Sequence, residues 1–203
     1  MKTQTKETQN KLTPKKAHRI LVEGNNRFVQ DIKANRILQS QVIETSTGQY
    51  PFAIVLGCID SRVPVELVFD QGIGDIFSAR VAGNIINADI LGSMEYACKV
   101  AGSKIVVVLG HSKCGAVTAA CQNVKLGNIT TLLDKIQPAL SLVKTKQKEM
   151  NDQAIEEVIL ENVKHSIQQI RKESPILSMM EEAGEIEIVG AIYNVSNGKV
   201  DFL

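Results

Sequence analysis

Two short segments hold most of the side chains able to do chemistry. They are Cys58-Ile59-Asp60-Ser61-Arg62 and His111-Ser112-Lys113-Cys114-Gly115, and each follows a short apolar run. A histidine and a cysteine three residues apart at a helix start can face one point, and zinc takes thiolate and imidazole ligands. A His-x-x-Cys pair alone arises by chance. With Cys58 and Asp60 at the end of a neighbouring strand, four ligand-type side chains can converge. Two cysteines, one histidine and one further position suit a catalytic zinc, with water or a displaceable carboxylate in the fourth place. A purely structural zinc more often has four Cys or His ligands and no arginine beside a carboxylate. Taken singly, Cys58 and Cys114 read equally well as buried cysteines, and His111 as a hydrogen-bonded core histidine. The joint pattern favours a site.

The other candidates have plainer readings. Cys98 and Cys121 lie within helical patterns and are expected to be packing residues. His18 and His165 sit among charged and polar neighbours and are expected to be solvated. Gly72-Ile73-Gly74 has no third glycine in phosphate-binding spacing, which argues against a nucleotide loop.

The elements that must position the two segments can be read from periodicity. Residues 52–57 and 105–109 are continuous apolar runs, as expected of strands buried on both faces, and 75–80 is a further strand. Thr13-Pro14 starts a helix running to about Val29. Residues 33–49 read as loop with short helical pieces, and 86–100 as a helix stopped at Gly102. Beyond Cys114, helices are expected over 115–124, 130–149, 153–172 and 175–183. The charges Lys144, Lys146, Lys148 and Glu149 suit a solvated face. A strand over 186–193 and an Asn197-Gly198 turn into an edge strand close the chain. The expected fold is α/β: a central, mostly parallel sheet of about four strands plus a C-terminal edge strand, flanked by helices, with an N-terminal helical arm. The two chemical segments then fall at the carboxyl ends of parallel strands, where ligands bind in open sheets.

Composition bounds the rest. With 203 residues, one domain spanning 1–203 is expected, with 1–12 as a flexible polar arm. A net charge of +1 gives no reason to expect nucleic acid or an anionic membrane as partner. Residues 1–10 are polar and no long apolar run follows, so a cytoplasmic location with four reduced cysteines is expected.

Cys58-x-Asp60-Ser61-Arg62 followed by His111-x-x-Cys114-Gly115 resembles the signature of the β-class carbonic anhydrases. The runs 69–75, 80–84 and 92–97 are similar to bacterial members, and the likeness extends from about Arg27 to the end. The resemblance implies zinc held by Cys58, His111 and Cys114, and reversible hydration of carbon dioxide to bicarbonate through a zinc-bound hydroxide. It implies that Asp60 and Arg62 form a dyad in which Asp60 accepts a hydrogen bond from that hydroxide, and that Asp60 ligates zinc only in a closed resting form. Gln49, Phe77, Ala82 and Tyr96 are implied to line the substrate pocket, and Gly115 to offer its N–H to the substrate. Some of these residues would come from a neighbouring subunit, in a homodimer or a dimer of dimers. Two thiolates should leave the zinc a weaker Lewis acid than three imidazoles would. Val100 stands where plant-type members carry a histidine that helps move protons, so buffer is left to do so. Val55 replaces the tryptophan of the bicarbonate-inhibited subgroup, and Gln49 is present, which points to an open water position on zinc. Hydrolysis of carbonyl sulfide or carbon disulfide at the same zinc is the alternative activity, and a non-catalytic zinc-stabilised binding protein the alternative class.

Overall fold

The computed structural model describes residues 2–147 and 149–203. The helices and strands follow in the order α1 (Lys6–Asn10), α2 (Pro14–Val29), α3 (Leu38–Thr45), β1 (Ala53–Gly57), α4 (Val65–Val68), β2 (Ile76–Arg80), α5 (Ala88–Glu95), β3 (Ile105–His111), α6 (Gly115–Cys121), α7 (Gly127–Asp134), α8 (Gln137–Lys144), α9 (Asp152–Glu173), α10 (Pro175–Glu182), β4 (Glu187–Tyr193) and β5 (Val200–Phe202). A 3₁₀ turn over Ala82–Asn84 precedes α5, and a π-helical turn over Tyr96–Val100 continues it.

The five strands form one sheet in the order β2-β1-β3-β4-β5, parallel throughout except for the antiparallel pair β4–β5. All residues of β1 and β3 are buried, as continuous apolar runs require in a sheet covered on both sides. Alternation divides them. Val55, Val107 and Leu109 pack with Ala17 and Leu21 of α2, while Ile54, Leu56, Val106 and Val108 pack with Met94 of α5 and Val163 and Ile170 of α9. A third cluster gathers Cys58 and Cys114 with α6, α8 and the first half of α9. The chain steps from β1 to β2 on one side and builds β3 and β4 on the other. The strand order therefore reverses between β1 and β3, the crevice where open parallel sheets bind ligands. Gly110 lets α9 lie close on β3, since a Cβ there would sit 2.6 Å from Val163.

Several sequence expectations need correcting. Within the polar stretch expected to be a flexible arm, residues 6–10 are helical, and Gln9 is buried. Its Nε2 donates to the carbonyls of Pro51 and Ala101, both at 2.8 Å. Polarity there serves buried carbonyls, and Met1 lies outside the described residues. The single helix expected over 130–149 is two, because Pro138 cannot donate a helical N–H and instead occupies the first turn of α8. Lys144, Lys146 and Glu149 are exposed as expected, and Lys148 lies outside the described residues. His18 is not simply solvated: its Nδ1 lies 3.2 Å from Glu187 and its ring packs at a tilt against Phe202. His165 is half-buried, with Nε2 shielded from solvent, and burial lowers its pKa. The Gly72–Gly74 turn is filled by the buried side chain of Gln41, whose Oε1 accepts the Ile73 N–H.

Buried Asp70 ties the connection after α2 to the end of α4, pairing with Arg27 and Arg36 at 2.5 Å each and accepting the Ala34 N–H at 3.1 Å. Burial alone would raise its pKa, but these donors outweigh it and hold the carboxyl below its ordinary value. A folded pKa below the unfolded one contributes stability above about pH 4 that is lost as pH falls. Asp70→Asn should therefore lower the urea midpoint at about pH 7, and its deficit relative to the parent should shrink toward about pH 3. Equal deficits at both pH values would contradict this account of the Asp70 cluster.

Candidate metal centre

β1 ends at Gly57, which pairs with Leu109 of β3, so β3 runs two residues further before ending at His111. That offset sets Cys58 and His111 at adjacent strand ends. Cys114 caps the start of α6. The two Sγ atoms and a ring nitrogen of His111 lie within 4.8 Å of one another, and all three residues are buried. In a tetrahedral zinc site the ligand atoms stand about 3.5–3.8 Å apart, so small adjustments accommodate the ion.

His111 supplies the strongest observation. Its ring is fully buried, Nδ1 faces the Ser112 carbonyl at 3.0 Å, and Nε2 has no hydrogen-bond partner. A ring that donates from Nδ1 keeps its lone pair on Nε2. An unpartnered buried lone pair facing two thiols costs free energy that a cation removes. The thiols agree. Cys58 is lowered to about 4, chiefly by the hydrogen bond from the Cys114 thiol, with the neighbouring His111 ring and then the backbone N–H groups of Asp60 and Gly83 helping against burial. Cys114 is pushed upward by its partnership with the Cys58 thiolate and by burial. Without a cation only one of the two sulfurs ionises; a dication allows both to do so. The donor set fits a thiophilic metal.

Asp60 is not part of this ligand cluster. Arg62 holds it in a two-pronged fork, with Nε donating to Oδ1 at 2.9 Å and Nη2 to Oδ2 at 2.7 Å, and the Arg62 N–H adds a bond of 2.9 Å to Oδ1. The guanidinium beside it holds the Asp60 carboxyl well below the usual carboxylate range. Arg62 Nη2 also reaches the Lys113 carbonyl at 3.3 Å, linking the two segments. Lys113 itself has φ 56°, a left-handed conformation costing about 1–2 kcal/mol for a residue with a Cβ. Gly115 is exposed at the start of α6, with open space where a Cβ would stand.

The expected pocket residues Phe77, Tyr96 and Gln49 line two grooves of this chain. The Phe77 and Tyr96 rings meet edge to face at 6.4 Å and line a groove of about 740 Å³ with Ile54, Ala79 and Ile90. Tyr96 and Gln49 line a second groove of about 460 Å³ with Tyr50 and Val100. Neither lining contains Cys58, Asp60, His111 or Cys114. Ala82 adjoins Gly83, whose N–H points at the Cys58 sulfur at 3.4 Å.

With this geometry, likeness to known proteins is specific. A family model for carbonic anhydrase matches residues 53–200. A carbonic anhydrase of Mycolicibacterium smegmatis is 33% identical over 195 residues, covering 93% of this chain and 92% of that one. Carbonic anhydrase 2 of Mycobacterium tuberculosis is also 33% identical, covering 92% of this chain and 91% of its own. The solved β-carbonic anhydrase CafA of Aspergillus fumigatus is 30% identical with a TM-score of 0.74, covering 81% of each chain. This chain belongs to the β-carbonic anhydrases.

Several supports of this β-carbonic anhydrase site went unread as such in the sequence. Arg80, at the end of β2, donates from Nε to the Cys58 carbonyl at 2.9 Å and from Nη2 to the Asp60 carbonyl at 2.6 Å, clamping the first segment. Asn162 and Ser166 of α9 hold the carbonyls of Gly83 and Asn84 at 2.8 and 3.2 Å, fixing the turn whose N–H meets Cys58. Ser112 Oγ accepts the Val195 N–H at 3.0 Å, which ties the second segment to the β4–β5 connection. A signal for the α9 pair existed: Asn162 and Ser166 are polar residues four apart on an otherwise apolar, core-facing stripe. Cys114→Ser should keep the fold but weaken zinc binding by more than the 10–100-fold typical of losing an outer-shell partner. Competition with a chromogenic chelator measures this, and parent-like affinity would remove Cys114 from the ligand set.

Proposed function

We propose that this protein catalyses the reversible hydration of carbon dioxide to bicarbonate and a proton, with zinc held by Cys58, His111 and Cys114. The observation that carries this reading is the Asp60–Arg62 fork: a carboxylate held beside the ligand cluster, yet drawn out of it, leaves a fourth position for solvent. Zinc, when bound, supplies a Lewis acid that makes water nucleophilic near neutral pH.

The chain's own residues do the rest. Asp60, kept ionised by Arg62, accepts a hydrogen bond from the attacking oxygen and so directs its lone pair at the carbon of carbon dioxide. Arg62 keeps Asp60 from competing for the metal. The Gly115 N–H, at the open start of α6, serves as donor to an oxygen of the bicarbonate being formed. The proton passes to buffer, since Val100 offers no titratable group. Phe77, Tyr96, Gln49 and Ala82 complete a small apolar pocket between two subunits. The exposed faces of Tyr96, Val100 and Ile59 support that assembly as a homodimer or a dimer of dimers. Because an oxidised Cys58–Cys114 pair could not ligate zinc, the reading also favours a reducing compartment, the cytoplasm.

Stopped-flow mixing with dissolved carbon dioxide and a pH indicator should show acceleration that chelation abolishes and zinc restores. Asp60→Asn should retain zinc yet lose rate on the order of 100-fold. A zinc-loaded protein that is silent at about pH 8.5 refutes the reading. Hydrogen sulfide release from carbonyl sulfide without carbon dioxide hydration transfers the site to sulfur-compound hydrolysis.

A further inference from the structure

Glu156 lies on α9, whose neighbouring Ala154, Val158 and Ile159 are buried in the cluster that holds Cys58 and Cys114. Its Oε1 accepts the Lys113 N–H at 2.8 Å. Among the described residues this is the one hydrogen bond its carboxylate makes, and it goes to the backbone between His111 and Cys114. Lys113 is the residue held at φ 56°, and no glycine is there to make that conformation easy. Its carbonyl accepts from Arg62 Nη2, the same nitrogen that donates to Asp60 Oδ2. A carboxylate on a rigid helix thus connects, through one left-handed residue and one guanidinium, to the carboxylate beside the metal cluster.

The linkage is geometric. The N–H and C=O of Lys113 are set by its φ and ψ, so fixing the N–H restrains where the C=O points. Without an acceptor for that N–H, the residue gains by relaxing to negative φ, and its carbonyl swings away from Arg62. The half-exposed guanidinium then loses its tie to the second segment and is free to move together with Asp60.

We propose that Glu156 is a positioning residue, which locks the left-handed turn at Lys113 and through the Lys113 carbonyl fixes the Arg62–Asp60 fork. The functional consequence rests on the carbon dioxide hydration reading above; the structural linkage does not.

The test uses the full-length zinc-loaded protein. Glu156→Ala should lower kcat about tenfold with KM and zinc content unchanged. Glu156→Gln keeps an oxygen that can accept the Lys113 N–H and should retain most of the rate. Lys113→Gly, which adopts positive φ without steric cost, should recover at least half of the lost rate in the Glu156→Ala background. The readout independent of catalysis is solvent exchange of the Arg62 Nε–H followed by NMR, expected to quicken about tenfold in Glu156→Ala. Unchanged exchange in that variant overturns the proposal whatever the rate does. So does Glu156→Gln behaving like Glu156→Ala, which would show that charge rather than N–H acceptance matters. A parent that hydrates no carbon dioxide but shows the exchange difference overturns the assigned reaction and leaves the linkage standing.

Discussion

Two thiols and one imidazole are forced together out of contact with water at the ends of β1 and β3. That enforced meeting is the constraint on which the rest of the structure depends. Polar groups buried without partners are costly, and a second thiolate beside the first is costlier still. The Nε2 of His111 has no hydrogen-bond partner, and the Cys58 thiolate beside it, together with burial, pushes the Cys114 thiol up. A dication balances both. The cluster thus points to a metal, whose binding would electrostatically complete a core that the apolar strands have already closed.

The scaffold makes the meeting unavoidable. Reversal of strand order between β1 and β3 opens a crevice, and the two-residue extension of β3 carries His111 to the strand end beside Cys58. α9 then serves as a rail along the site. Its apolar residues pack on β3 and β4, with Gly110 permitting the approach, while Asn162 and Ser166 hold the 81–84 turn from the same face. Polar residues on a buried helical stripe would be a liability unless each found a partner, and here the partners are the Gly83 and Asn84 carbonyls of the turn whose N–H meets Cys58.

Asp60 and Arg62 are arranged by opposite logic, at the rim where solvent reaches them. Charge-assisted bonds in fork geometry fix the carboxylate's direction as well as its charge. The metal cluster is complete within one chain, whereas the grooves lined by Phe77, Tyr96 and Gln49 do not include it.

The sequence alone determined what local pattern can carry. The buried strands, the α2 cap at Thr13, the C-terminal edge strand and the Cys58, His111 and Cys114 set were all legible, because period, turn chemistry and ligand type are properties of short segments. It misjudged Gln9 and overlooked Asn162, since polarity predicts exposure until a buried carbonyl is found to need a donor. It ran α7 and α8 together despite Pro138, where the rule was at hand but the apolar spacing continued across the break. Only the tertiary structure decided that Arg80 clamps the Cys58 and Asp60 carbonyls of the first segment. It alone showed which nitrogen of His111 is left without a partner. These facts depend on direction across strands distant in sequence, and spacing along a chain contains no information about direction in space.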